Sequence, residues 1–521
     1  MPKFKDYKQG QQASLFPLDI SALVPQNHLV RQIDLVIDRI QTGKLQTPFS
    51  ENGASSYHPK MMLKVIIYAY STRNYSSRNI AALLRQDITY MWLSGIQTPD
   101  FNTVNRFRSV YLKDVIEDVF SEVLLFLHEH EFIKFENYFV DGTKLEADAG
   151  KYSYVWKSNT ERYKAAVQAR VKALMGEIEK LNELEDKLYE KKNLPELGEQ
   201  SNINSKQVEE LAQNINRKLE EKQGEIKKNE ARKIKGKITQ LIKEKENLEK
   251  YQEQESILGQ RNSYSKTDHG ASMMRMKGTD ELRPGYNVIA SSENQFVTNT
   301  SVGQNASDSV CFPEHLKKNI KRGEKFVPAN FVGDAGFGSE ENYEALEQAS
   351  IKSYLKFQSF HQESQKEHKK DIFHKDNFEY NSDGDFYTCP NKMKLAYRET
   401  IEKRTINGYT QTIKIYEAEN CEACPLKEQC TKAKGNRTIQ VNPNLERHKE
   451  IARQNLNSDK GIELRKQRGW EIETFWADLK YNQKYKRIRL RGLEKAELEI
   501  NWLAISYNLR KAHQKLINKA A

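Results

Sequence analysis

At 521 residues the chain is too long for one small core and favours three or four structural units. Lys and Arg outnumber Asp and Glu by 83 to 72, a net charge of +11 with pI ≈ 9.0, which favours a polyanionic partner. No apolar run reaches the ~18 residues of a membrane span, and the start, MPKFKDYKQGQQ, lacks a signal peptide's apolar stretch, so the expectation is a soluble, cytoplasmic protein with no membrane role.

Residues 1 to 130 read as helical, with apolar residues at helical spacing in HPKMMLKVIIYAYS and IEDVFSEVLLFLHEHEF. Between them, YSSRNIAALLRQDITYMWLSG and PDFNTVNRFRS suggest two short helices and a turn, with Ser76 and Asn102 as N-caps. A helix-turn-helix would put Arg106 and Arg108 on DNA; an ordinary helical bundle with solvated arginines is the alternative. NYFVDGTKLEA then alternates as a strand does and carries Asp141 just before Gly142.

From 159 to 255 the chain is almost wholly charged or amide. Val167, Val171, Leu174, Ile178, Leu181, Leu184 and Leu188 recur in steps of four and three, and a second apolar set runs from Val208 to Leu248. That spacing predicts a coiled coil, most simply an antiparallel helical hairpin, with an intermolecular coiled coil as the rival. Strand signals return in PGYNVIASSE, NQFVTNTSVG and PANFVGDAGFG, the last carrying Asp334, and alternate with helices in an α/β string. An irregular stretch, 358 to 445, precedes the helical pattern GIELRKQRGWEIETFWADLKYN, a basic run and a last amphipathic helix.

Asp141, Asp334 and Glu473 are each unremarkable alone. Two aspartates leaving neighbouring strands, with a carboxylate from a helix packed across them, can hold two Mg²⁺ or Mn²⁺ ions and support in-line phosphoryl displacement. No phosphate-binding glycine loop, nucleophile elbow or H-E-x-x-H helix is present, which leaves ATP-driven, acyl-transfer and zinc-protease chemistry unsupported.

The chain resembles the DDE transposases of bacterial insertion sequences along nearly its whole length. The likeness rests on LVPQNHLVRQID, PDFNTVNRFRS, YFVDGTKLEA, TDHGASMMRMKG with RPGYNVIAS, FVGDAGFGS, and RGWEIETFWADLK with KRIRLRG. It implies an α/β, RNase H-like mixed-sheet core with an N-terminal all-helical domain, a coiled-coil helical insertion and a small Cys-containing insertion. The implied segments are 1–130 for DNA binding, 131–158 with 256–357 for the core, 159–255 for the coiled coil, 358–445 for the Cys segment and 446–521 for the catalytic helix and basic tail. It also makes Asp141, Asp334 and Glu473 the metal-binding catalytic carboxylates. The family's E-x(6)-K pattern selects Glu473 over Glu471, since six residues separate Glu473 from Lys480. Arg468 and Lys480 then look like phosphate contacts. His269, Trp476 and Ala477 depart from the residues usual in the family and leave the three carboxylates untouched.

Four of the five cysteines, Cys389, Cys421, Cys424 and Cys430, fall within one short stretch and could supply a tetrahedral structural Zn²⁺; reduced cysteines in a loop-rich module are the alternative. In KYNQKYKRIRLR the six cations Lys480, Lys484, Lys486, Arg487, Arg489 and Arg491, with Tyr481 and Tyr485 interleaved, suit a phosphate backbone with stacking. The leading expectation is a transposase acting on the terminal inverted repeats of its element and on target DNA, as a homodimer, in the cytoplasm and at the nucleoid. The rivals are a metal-dependent nuclease without strand transfer and a non-catalytic zinc- and coiled-coil-containing DNA-binding protein.

Overall fold

The computed structural model describes residues 19–40, 56–186, 203–221, 228–277, 279–363 and 371–520. The chain divides into two compact units, Met1–Leu145 with Asn287–Ala521, and Glu146–Tyr286. No described helix is long and apolar enough to cross a membrane.

In the first unit, Pro59 at the first helical position and the His58 side chain accepting from the Lys60 N–H start the helix Pro59–Ser71. That helix is buried on nearly every side, as its even apolar content requires. The last helix, Leu493–Ala520, packs on it: Ser506 Oγ donates to the Ile67 carbonyl at 3.0 Å and Tyr70 Oη to Glu499 Oε1 at 3.2 Å. The helical N-terminal region and the C-terminal helix therefore belong to one body, joined by buried polar contacts.

The strands of the chain are β1 (Asn137–Ala147), β2 (Tyr154–Trp156), β3 (Ser263–Ser265), β4 (Ser272–Arg275), β5 (Leu282–Glu293), β6 (Phe296–Gly303), β7 (Asn330–Gly333) and β8 (Lys352–Leu355). After them come β9 (Glu379–Asn381), β10 (Phe386–Thr388), β11 (Lys394–Arg404), β12 (Thr410–Ala418), β13 (Thr438–Val441) and β14 (Arg487–Ile488). A mixed sheet runs β5-β1-β7-β8, with β6 antiparallel on β5 and β14 on β1; β1, β7 and β8 are mutually parallel. Its core holds Tyr138, Val140, Phe331, Val332 and Leu355 under the helices Asp308–Arg322 and Glu340–Gln348. Asn508 clamps the last helix to this sheet: its side chain accepts from the Val297 N–H and donates to the Val297 carbonyl, both at 2.8 Å. A five-stranded antiparallel sheet, β13-β12-β11-β10-β9, forms the Cys-bearing segment.

Among its described residues the second unit holds three helices, Lys157–Asp186, Ser205–Glu221 and Lys228–Leu258, where the sequence spacing suggests a two-helix hairpin. The reason is the middle set, Val208, Leu211, Ala212, Ile215 and Leu219, which packs with Val167, Val171, Ile238 and Leu241 into one core rather than continuing a single seam. Leu188 and the side chains of Leu181 and Leu184 lie outside the described residues.

Glu117 ties the N-terminal helices to the core. It pairs with Lys318 at 2.7 Å and Arg322 at 2.8 Å and accepts from Asn501. Burial alone would raise its carboxyl, but the two cations win and hold it at about 2 instead of the usual 4.5. Because the folded value is the lower one, the unfolded chain takes up the proton first as pH falls. The pair thus stabilises fully above about pH 4.5 and is lost on the way down to about 2. Glu117→Gln is expected to cost roughly 1 kcal/mol at neutral pH after solvent screening, read as a Tm difference from wild type that narrows as pH falls below that window's top. A difference that stays constant under acid would refute the assignment.

Candidate active site

The site follows from strand register. β1 and β7 pair in parallel as Asn137↔Asn330, Tyr138↔Phe331 and Phe139↔Val332. Continued two residues, the same offset sets Asp141 beside Asp334. The β7–β8 register, ending Gly333↔Leu355, likewise sets Asp334 beside Lys356. Three chemistry-bearing side chains thus stand in line where parallel pairing ends, beyond the carboxyl ends of β7 and β8, the usual place for a ligand in an open α/β sheet.

Arg468, on the helix Asp459–Glu471, bridges the two aspartates: its Nη2 lies 3.3 Å from Asp141 Oδ1 and 3.0 Å from Asp334 Oδ2. Arg468, expected from the sequence to contact a DNA phosphate, has its guanidinium engaged by the carboxylates. The Gly336 N–H donates to Asp334 Oδ1 at 2.9 Å and fixes that carboxylate in the turn after β7. Lys356 is held below the usual lysine range by burial first and then by Arg468 and Arg465, with Asp334 opposing.

Two further groups were not legible in the sequence. Besides Lys356, these include Asp308, at the start of the helix Asp308–Arg322, which accepts from Asn287 Nδ2 at 2.8 Å and lies against both glycines that follow the aspartates. A Cβ at Gly142 would meet Asp308 Oδ1 at 2.6 Å, and one at Gly336 would meet Asp308 Oδ2 at 3.6 Å and Asp334 Oδ1 at 3.0 Å. At Gly142 a side chain would have to displace the Asp308 carboxylate, while at Gly336 the Asp308 contact is of ordinary van der Waals length; no spacing rule announces an aspartate that arrives from a distant helix.

Glu473 opens the short helix Glu473–Ala477 and is exposed. Glu471, the nearby alternative, is 6 % exposed and accepts from the Gln295 N–H at 2.6 Å, so its carboxylate serves the fold. Among the described residues no three His, Cys, Asp or Glu side chains stand close enough to hold a metal. The structure brings Asp141 and Asp334 together and does not gather Glu473 with them. Two hard oxygen donors side by side fit a divalent cation in charge and chemistry; Arg468 neutralises the pair in this structure and would have to give way to the ion.

Lys480 donates to Thr143 Oγ1, two residues beyond Asp141 on the same strand face. A π-helical turn, Asp478–Asn482, and left-handed Lys484 at φ 51° then turn the helix into an extended run. β14 within this run pairs with β1, and Glu499 accepts the N–H groups of Arg489 and Leu490 at 2.8 Å each. Side chains alternate accordingly: Lys484, Lys486, Arg487, Arg489 and Arg491 are exposed, while Tyr485, Ile488 and Leu490 are buried. Tyr485 sits edge-on to Tyr75 and is not a base-stacking platform, whereas Tyr481 is 79 % exposed.

The N-terminal arginines part ways. Arg106 is exposed, with its guanidinium 5.4 Å from the Tyr111 ring. Arg108 is 4 % exposed and donates to the Tyr75 carbonyl at 2.7 Å, to Tyr70 Oη at 3.1 Å and to Asn105 Oδ1 at 2.9 Å. It holds the helices together and cannot reach DNA, contrary to the sequence reading. The N-cap of its helix is Asp100, which accepts the Thr103 N–H at 2.6 Å, rather than Asn102.

A mixed sheet with parallel strands presenting two register-matched aspartates, flanked by helices, is consistent with an RNase H-like core. Residues 388–513 match the family model described as "Transposase DDE domain", and residues 18–110 match the one described as "Transposase domain (DUF772)". Together these matches support a DDE-type transposase of the insertion-sequence kind. No curated protein and no solved structure matches the chain. The first matched segment contains Glu473, Arg468, the basic run and the four clustered cysteines; Asp141 and Asp334 lie outside both.

Proposed function

We propose that the protein binds the terminal inverted repeats of its element, cleaves a phosphodiester there and joins the resulting 3′-hydroxyl to target DNA, working as a homodimer that holds two ends together. The observation that carries this reading is the register-matched pair Asp141 and Asp334, beside a basic run hydrogen-bonded to the same strand. Mg²⁺ or Mn²⁺ held by Asp141 and Asp334 would supply an activated attacking oxygen and neutralise charge on the scissile phosphate; Glu473, which stands apart from the pair, would have to be drawn in to complete a two-ion site. Asp141 and Asp334 hold their carboxylates at fixed positions through strand register and the Gly336 N–H. Arg468 spans both carboxylates and keeps two like charges stable side by side. Lys484, Lys486, Arg487, Arg489 and Arg491 contact the DNA backbone, and Lys480 orients it near Thr143. The three-helix unit is a scaffold for assembling the paired ends.

The test is incubation of the full chain with DNA bearing the element's ends, target DNA and Mg²⁺. Joined product is expected. Cutting without joining would reduce the protein to a nuclease, and end binding without metal-dependent cutting would leave a DNA-binding scaffold. The basic run has its own readout: Lys486→Ala with Arg489→Ala should weaken binding of all DNA sequences alike and reduce the salt slope of log K by about 2, near one per lost phosphate contact. An unchanged slope would remove this run from the interface.

A further inference from the structure

The five-stranded sheet gathers four cysteines for a topological reason. Cys389 follows β10 in its turn to β11, while Cys421, Cys424 and Cys430 lie in the long connection from β12 to β13. The pairings Thr388↔Lys394, Leu395↔Ala418 and Glu417↔Thr438 put both connections at the same end of the sheet. All four thiols line one small cavity there, of about 20 Å³, the room of a single water-sized sphere.

The surroundings suit thiolates. The Arg437 N–H points at Cys421 Sγ at 3.3 Å, and Asn391 Nδ2 at Cys424 Sγ at 3.5 Å. Both Cys-bearing turns are tight: the Lys392 N–H donates to the Cys389 carbonyl at 2.8 Å with Lys392 left-handed at φ 58°, and the Cys424 N–H donates to the Cys421 carbonyl at 3.4 Å. The segment also needs a staple. Among the described residues its buried core is Phe378, Leu395, Tyr416, Ala418, Cys421 and Ile439, too little to order so long an irregular connection.

We propose that Cys389, Cys421, Cys424 and Cys430 form a structural Zn²⁺ site that fastens the β12–β13 connection to the β10–β11 turn. Four sulfur donors around one small space select Zn²⁺ over the hard cations of the carboxylate site, and a four-thiolate set leaves no open position for catalysis. As placed, the thiols do not form a closed ligand set, and zinc binding would draw them together. Cys311 stands apart, buried beside Gly303, and takes no part.

The test is elemental analysis of the full-length protein purified without chelator, with alkylation of native thiols by iodoacetamide. One zinc per chain is expected, with the four cysteines protected until the metal is stripped; Cys424→Ser should lose the zinc, while Cys311→Ser should keep it. If Cys424→Ser fails to fold, Co²⁺ replacement in the unaltered chain decides, through intense tetrahedral d–d bands and a thiolate charge-transfer band. A zinc-free chain whose Cys389 and Cys430 alkylate freely overturns the proposal, as do disulfides among the four, a zinc content unaffected by Cys424→Ser, or Co²⁺ spectra without thiolate bands.

Discussion

Asp141→Asn and Asp334→Asn are each expected to lower DNA cleavage by about 10³-fold or more while leaving end binding close to that of the unaltered protein. Replacing a carboxylate by its amide keeps shape and volume, so the parallel register of β1 on β7 survives and with it the position of the side chain. What is lost is negative charge at the point where a divalent cation must be held. Several kcal/mol of transition-state stabilisation depend on that charge, and each 1.4 kcal/mol or so is a factor of ten in rate. Binding should persist because DNA phosphates are met by Lys and Arg outside the aspartate pair. Cleavage rates on end-bearing DNA, with gel-shift affinity measured on the same preparations, check both halves. A variant that still cuts within tenfold of the unaltered chain would take that aspartate out of the chemistry.

Glu293→Ala is expected to cost about 3 kcal/mol or more of folding stability, a large part of the ~5–15 kcal/mol of an ordinary domain. Glu293 is 5 % exposed and its two oxygens accept four consecutive backbone N–H groups: Lys134 at 2.9 Å, Phe135 at 2.7 Å, Glu136 at 2.9 Å and Asn137 at 3.1 Å. Removing the carboxylate strands several donors in a partly buried turn, where each unpaired group costs about 1–3 kcal/mol. Since this clasp fixes where β1 begins, the loss should also blur the register that aligns Asp141 with Asp334. Urea unfolding followed by circular dichroism measures the first effect. A midpoint shift equivalent to less than about 0.5 kcal/mol, the size of an ordinary surface substitution, would show that the clasp is dispensable.

The same contrast between local and distant information runs through the chain. Alternation in NYFVDGTKLEA is visible to inspection because a strand's period of two is a property of consecutive residues; Asp334 follows the end of β7 as expected, whereas Asp141, expected at a strand end, lies within β1, which runs on to Ala147. The helical N-terminal region and the last helix are legible as long helix-forming stretches, but Pro59–Ser71 and residues 498–509 of the last helix are buried on nearly every side rather than on one amphipathic face. The basic run between Lys480 and Arg491 is read from composition alone; its charges from Lys484 to Arg491 do face solvent, while Lys480 turns onto Thr143.

Tertiary structure decided everything that depends on what lies opposite. Arg106 and Arg108 look alike in PDFNTVNRFRS, yet a two-residue step on a helix turns Arg108 inward onto Tyr70 and Tyr75, while Arg106 stays in solvent. Tyr481 and Tyr485 differ in the same way. The charged insertion became three helices instead of two because pairing partners for Val208, Leu211 and Ile215 are set by packing, which a heptad count does not specify. Arg468, Lys356 and Asp308 reached the aspartates only through strand register and helix placement, across separations in sequence that carry no periodic signal. By itself the sequence determined the residues that can carry the chemistry, because residue type and local spacing are written in it directly. Which of them meet, and which are spent on holding the fold, was decided by burial and by partners distant along the chain.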